Sequence, residues 1–250
     1  FTLNNIKKNI NILFMITNYN KSKNVIIIPA RGGSKEIKNK NLVNFCGKPL
    51  LYWTIKQALS CKFVNEVFVS SDSDEILSFS KTNGARTIKR PKKLSTDISQ
   101  SEEAILHVLK ETKNFFKTII FLQATSPLRK RDDIDNAIKT FYKKNYDSLF
   151  SCHTAEDYFD IWISKNKTIV SKTINNKKRL PRQLMKTKFY QQNGSIYIFK
   201  KEIIEKYNNR LGGNIGVYSM DEWQSFQVDT IKQKKPMELL FQNYLKKFYK

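Results

Sequence analysis

The sequence predicts an α/β fold: a largely parallel sheet with helices on both faces, interrupted by a small β-rich insertion. Three observations predict it. From Asn24 onward, short β-branched runs alternate with amphipathic helical stretches, the rhythm of strand–helix–strand units. Between about 155 and 188 that rhythm gives way to polar/apolar alternation, as in "DIWISKNKTIVSKT", which suggests antiparallel hairpins outside the main sheet. Finally, 250 residues with 40% hydrophobic and 12% aromatic side chains suit one large domain with a substantial core.

Taken in order, "NVIIIPA" is a continuous apolar run, as expected of a strand covered on both faces. "LLYWTIKQALSC" is a helix with Leu51, Ile55, Ala58 and Leu59 on one face, and "VNEVFVSSD" is a strand ending at Asp72. "DEILSFSKTNG" reads as a helix closed by Gly84, and "ARTIKRP" as a short strand stopped by Pro91. "SQSEEAILHVLKET" starts a helix with a Ser99/Glu102 capping pattern and turns Ala104, Leu106 and Leu109 inward. "KTIIFLQATSP" is a buried strand, "RDDIDNAIKTFYKKN" a helix capped by Ser126 or Asp132, and "DSLFSCHT" another strand. "NGSIYIFKKEIIEKY" returns to strand-then-helix, and a last helix starts at Pro236.

A formal charge of +23 would suit a polyanionic partner, but the lysines are scattered through the chain and read as solvated faces. We therefore expect no nucleic-acid partner. No apolar stretch reaches the ~18 residues of a membrane span, so no membrane partner is expected either. Cys46, Cys61 and Cys152 form no CxxC pair, which points to a reducing, cytoplasmic setting. Residues 1–23 read as an N-terminal extension to a domain over 24–250, with Met15 as the expected native start. His107 and His153 lack zinc spacing, and no GxSxG elbow is present.

Ligands of open α/β sheets sit at the carboxyl ends of the strands, so the loops there hold the candidates. The first, within "IIIPARGGSKEIKNKN", carries Arg31, Gly32, Gly33, Ser34, Lys35, Lys40 and Asn41. Glycines let a backbone approach anionic oxygens and the cations neutralise them, though a basic turn has the same composition. Neither GxxxxGK[ST] nor GxGxxG is present. Later loops supply Arg90, Ser101, Gln123, Thr125 and Arg129, and "FQVDT" offers Asp229 as a lone carboxylate.

In order, these motifs resemble the acylneuraminate cytidylyltransferase family, the CMP-sialic acid synthetases. The family's PARxGSKxIxxKN loop is matched by Pro29, Ala30, Arg31, Gly33, Ser34, Lys35, Ile37, Lys40 and Asn41. "GKPLLYWTI" resembles the segment after that loop. "RPKKLSTD" resembles RPxxLAxD, "LQATSPLR" resembles LQPTSPLR, and "PRQLMKTKFYQQNGSIYIF" resembles RQxLPxxYxxNGAIYI. The likeness runs from about Val25 to Thr230.

The resemblance implies a three-layer αβα, Rossmann-like nucleotidyltransferase fold and transfer of CMP from CTP to the anomeric hydroxyl of a sialic-acid-like nine-carbon 2-keto sugar acid. It implies that Arg31, Lys35 and Lys40 hold the triphosphate, helped by the backbone of Gly32, Gly33 and Ser34. Asn41, Arg90 and Ser101 would contact the nucleotide. Gln123 would address the acid, Thr125 would bind substrate beside it, and Arg182, Gln183 and Asn193 would line the acid's side. Asp229 would hold Mg²⁺, and the insertion at about 155–190 would build a homodimer. Legionaminic, pseudaminic and 3-deoxy-octulosonic acids are alternative acceptors, and a basic nucleic-acid-binding protein with weakened catalysis is the alternative of another class. Two departures stand out. Glu36 replaces the usual glycine after GSK, so its charge should point away from the phosphates. Gln227 replaces the first aspartate of the family's SIDIDT segment.

Overall fold

The computed structural model describes residues 23–34, 36–154, 161–173, 178, 181, 184 and 188–248. Expectations for residues 1–22 therefore lie outside the described residues, as do those for Lys35, Arg182 and Gln183.

Among the described residues, seven strands form the main sheet: β1 (Asn24–Pro29), β4 (Glu66–Ser71), β5 (Arg86–Lys89), β6 (Thr118–Leu122), β7 (Ser148–Thr154), β10 (Tyr190–Lys200) and β11 (Ile215–Ser219). Their order is β11-β7-β10-β6-β1-β4-β5. Every neighbouring pair is parallel except the two made by β10, which runs antiparallel between β6 and β7. Strands β2 (Asn44–Phe45) and β3 (Lys48–Pro49) form a separate hairpin. Its two-residue turn is Cys46–Gly47, both at positive φ, the geometry that matches strand twist.

Helices α1 (Leu50–Leu59), α2 (Asp74–Thr82) and α4 (Asp133–Lys143) cover one face of the sheet. Their Ile55, Ile76 and Ile138 join Ile26, Ile28, Val69 and Ile198 in one core. Helices α3 (Ser101–Glu111) and α5 (Lys201–Tyr207) cover the other, packing Ile105, Val108 and Ile203 on Val25, Ile27 and Phe199. Alternate residues of β1 thus feed opposite cores, the period-two signature of a strand buried on both faces. The expected three-layer αβα arrangement is present. A third core gathers Phe45, Trp53 and Val228 around Met237 and Phe241 of α6 (Ile231–Tyr244).

Several local expectations need correction. Leu59 is 42% exposed, because it is the final residue of α1 and lies off the face on which its neighbour Ala58 is buried. Helix α3 is closed by Gln100 and Glu103, the Gln100 N–H donating to Glu103 Oε2 at 3.2 Å, rather than by Ser99 and Glu102. Glu102 is instead buried in an ion pair with Arg210 at 2.9 Å. At the start of α4 neither Ser126 nor Asp132 caps; Asp133 Oδ2 accepts from the Lys130 N–H at 2.6 Å. The last helix begins at Ile231, where Gln233 Oε1 accepts from the Thr230 N–H at 2.8 Å. Pro236 therefore lies inside α6, near enough to its start that only one rung of the ladder is lost. Strand β11 and the β2–β3 hairpin were not anticipated.

Among the described residues of the region expected to hold antiparallel hairpins there is one, β8 (Trp162–Lys165) against β9 (Thr168–Ser171), forming its own sheet. Among the described residues no helix is long and apolar enough to cross a membrane.

Candidate active site

A cleft of about 380 Å³ opens at the carboxyl ends of β1, β5 and β6. Its first wall is the loop after β1. The Ala30 N–H donates to the Ser70 carbonyl at 2.9 Å, carrying the β1–β4 pairing one residue further. Next, the Gly32 N–H donates to Asp72 Oδ1 at 2.9 Å. A Cβ on Gly32 would lie 2.8 Å from Ser73 Cβ, so the close pass over the start of α2 requires glycine. The loop closes through Asn41, whose buried amide donates to the Arg31 carbonyl at 2.9 Å. Gly33 and Ser34 form the part of the loop between these two anchors. Glu36 is exposed and outside the cleft lining.

Two cations project from this loop toward carboxylates. Arg31 Nη1 lies 2.8 Å from Asp97 Oδ1 and donates to the Thr96 carbonyl at 3.0 Å. Lys40 Nζ lies 3.0 Å from Asp229 Oδ1. Arg90, at the end of β5, is buried and donates through Nε to Ser95 Oγ at 2.9 Å. Burial draws its guanidinium below the ordinary value, with Asp72 working against the shift and Arg31 adding to it. It remains a cation, since arginine does not lose its proton in proteins. Ser101, the first residue of α3, reaches the same cleft.

The floor comes from "LQATSPLR". Gln123 and Thr125 line the cleft, and Gln123 Oε1 is buried without a hydrogen-bond partner. Arg129, by contrast, is fully buried and faces inward. It donates to the Ser195 carbonyl at 2.7 Å, the Gln123 carbonyl at 2.9 Å and Gln57 Oε1 at 2.9 Å, fastening this loop to β10 and α1. The Val228 N–H donates to the Thr125 carbonyl at 2.9 Å, which brings Gln227, 102 positions from Thr125 in sequence, and Asp229 to the cleft.

Arg31, Lys40, Asn41, Arg90, Ser101, Gln123, Thr125 and Asp229 therefore share one cleft. Asn193 stands apart from its lining. Its side chain is buried, accepts from Ser151 Oγ at 2.6 Å and donates to Met220 Sδ at 3.4 Å; its carbonyl accepts from Gln227 Nε2 at 2.8 Å. Sequence reasoning missed Asp72 and Asp97 as partners of the glycine loop. The aspartate closing "RPKKLSTD" was the one signal for the second.

A model of the family described as Cytidylyltransferase matches residues 25–249. The chain belongs to the cytidylyltransferase family.

This cytidylyltransferase is 33% identical over 223 residues to post-translational flagellin modification protein B of Campylobacter coli, covering 85% of this chain and 92% of that one. To a CMP-N,N′-diacetyllegionaminic acid synthase of Campylobacter jejuni it is 34% identical over 221 residues, with 85% and 92% covered. To N-acylneuraminate cytidylyltransferase A of Danio rerio it is 32% identical over 211 residues, 84% of this chain but 49% of that protein. Thus it spans about half the length of that relative. Among solved structures, a CMP:2-keto-3-deoxy-manno-octonic acid synthetase complexed with CTP superposes with a TM-score of 0.68. That structure is 20% identical, covering 90% of this chain and 100% of the other, which shows the shared fold.

Proposed function

We propose that this cytidylyltransferase moves CMP from CTP to the anomeric hydroxyl of a nine-carbon 2-keto sugar acid of the sialic, legionaminic or pseudaminic kind. The hydroxyl oxygen attacks the α-phosphorus in line and gives up its proton to solvent, the bond to the bridging oxygen breaks, and pyrophosphate leaves. The observation that carries the reading is the convergence of Arg31, Lys40 and Arg90 with Asp229, Gln123 and Thr125 in one cleft at the strands' carboxyl ends. Phosphoryl transfer asks for positioning and charge neutralisation, and these side chains supply both.

In this reading Arg31, Lys35 and Lys40 neutralise the triphosphate, while Gly32, Gly33 and Ser34 let the backbone approach it. Asn41, Arg90 and Ser101 hold the nucleotide. Gln123 and Thr125 face the acid, with Gln123 Oε1 awaiting a donor such as a sugar hydroxyl. Arg182 and Gln183 belong on the acid's side, and Asn193 acts through the loop it braces.

Among the described residues no group of three or more His, Cys, Asp or Glu side chains could hold a metal. The donor set still fits Mg²⁺, which takes one or two carboxylates and completes its shell with phosphate and water. Asp229 would hold it, and the ion would supply further charge neutralisation. A homodimer built by the insertion is supported by the exposed apolar side chains of the β8–β9 hairpin, including Trp162 at 48% and Ile169 at 64%. The thiols of Cys46, Cys61 and Cys152 suit the cytoplasmic setting that goes with this reading.

The test is pyrophosphate release from CTP with a panel of N-acetylneuraminic, legionaminic, pseudaminic and 3-deoxy-octulosonic acids. Release with a nine-carbon acid is expected. Release with none, alongside salt-sensitive binding to RNA or DNA, would overturn the reading in favour of a nucleic-acid binder.

A further inference from the structure

We propose that Gln227 is a positioning residue that braces the floor of the cleft, and that the cleft consequently takes its divalent cation through Asp229 alone and only together with the nucleotide. The proposal rests on the reading of the cleft as a CTP site.

The brace is visible in the geometry. Where β10 passes the cleft, its pairing with β7 shifts register between Gln192 and Tyr197. Within that irregularity Gly194 has φ +70°, and a Cβ there would lie 2.3 Å from Gln227 Nε2 and 2.4 Å from Gln123 Oε1. Two amide side chains therefore rest on bare glycine backbone. The Asn193 carbonyl is held in place because its own side chain accepts from Ser151 Oγ at 2.6 Å and from the Ser195 N–H at 3.1 Å. Gln227 Nε2 donates to that carbonyl at 2.8 Å, and Gln227 Oε1 accepts from Thr125 Oγ1 at 3.5 Å. The carbonyl dictates which amide atom faces it, since only nitrogen can donate. A carboxylate at position 227 would set acceptor against acceptor.

The consequence for the cation follows from charge. Gln227 is neutral and its amide is committed to Asn193. The neighbouring carboxylate, Asp229, is already compensated by Lys40 Nζ at 3.0 Å. A divalent ion arriving alone would have to displace an ammonium and gain one charged oxygen, a poor site for a hard cation. A bound triphosphate changes both conditions. It offers its own anionic oxygens to the ion and draws the Lys40 ammonium away from Asp229.

The binding measurements use the full chain without any sugar acid, and turnover is measured with the acid that supports pyrophosphate release. Mn²⁺ binding is followed by electron paramagnetic resonance on nucleotide-free protein, and CTP binding by calorimetry with and without Mn²⁺. The wild type should show no saturable Mn²⁺ site by itself, and Mn²⁺ should tighten CTP binding. Gln227→Glu should gain a nucleotide-independent Mn²⁺ site, melt below the wild type, and recover on adding Mn²⁺. Gln227→Ala removes the donor without adding charge, and carries the test if the glutamate variant fails to fold. It should bind no Mn²⁺ alone and lose about tenfold in kcat with little change in the KM for CTP, the scale of one buried hydrogen bond left unmade. A saturable Mn²⁺ site on nucleotide-free wild type that still binds CTP would overturn this inference alone. So would a Gln227→Ala enzyme with unchanged kcat. Absence of CTP binding by the wild type would overturn the CTP reading and this inference together.

Discussion

Arg31 Nη1 sits 2.8 Å from Asp97 Oδ1, tying the loop after β1 to the loop after β5 across the cleft. The two side chains are 35% and 44% accessible, so the pair contributes little to stability, on the order of 0.2–1 kcal/mol. In the proposed CTP site its effect would be on the ligand, because Asp97 would compete with phosphate for the guanidinium. Asp97→Asn should therefore bind CTP more tightly while melting within a few degrees of the wild type. Arg31→Ala should weaken CTP binding, and calorimetry of both variants checks the pair of expectations.

Among the described residues Arg129 is the largest fully buried side chain, and it supports the site from behind. Removing it takes the guanidinium donor from the Ser195 carbonyl and Gln57 Oε1, each costing about 1–3 kcal/mol, while the Gln123 carbonyl keeps the Ser126 N–H at 3.3 Å. Arg129→Met should lose at least about 3 kcal/mol in urea unfolding. Arg129→Lys should recover only part of it, because a single ammonium cannot span partners on β10, α1 and the cleft floor.

Asp229 carries the metal reading. Asp229→Asn should lower metal-dependent turnover by roughly 100-fold, at the upper end of the loss seen when even an outer partner of a metal site is removed. Stability should hardly change, since its ion pair with Lys40 leaves Asp229 half-exposed. Full metal-dependent turnover in the variant would mean that the cation is held elsewhere.

The acid limb of stability should depend on Asp147. The Asn214 N–H and Lys200 hold its carboxyl below the ordinary value of 3.8. A carboxylate depressed in the folded state stabilises above its unfolded pKa and loses that contribution as pH falls through the folded one. Asp147→Asn should lower stability at neutral pH and flatten the decline below pH ~4, read as urea midpoints against pH. Asp133 works in the opposite direction. Burial raises its carboxyl despite hydrogen bonds from Gln224, the Lys130 N–H and Tyr218, so its contribution falls as pH rises above 3.8.

Much of the architecture was legible before any coordinates. Continuous apolar runs marked the buried strands, 3.6-residue periodicity marked the helices, and the loop motifs indicated which strand ends line the cleft. Such features are local, so neighbouring residues suffice to encode them. Strand β11 escaped notice because it is short and carries Gly216, where a Cβ would lie 2.1 Å from the Tyr146 ring. A strand that needs glycine for a partner's ring carries a weakened β signal.

The direction of each polar side chain was decided only by tertiary structure. "LQATSPLR" and "NGSIYIF" pointed to a site, yet Arg129 turns into the core and Asn193 braces a bend, while Gln123 and Thr125 face the cleft. The contacts that define the cleft's charge, Arg31 with Asp97 and Lys40 with Asp229, join residues 66 and 189 positions apart. A buried polar group must find a partner wherever packing places one, and those partners come from strands distant in sequence. Local pattern places the loops at the strand ends. Packing selects which of their side chains face the cleft.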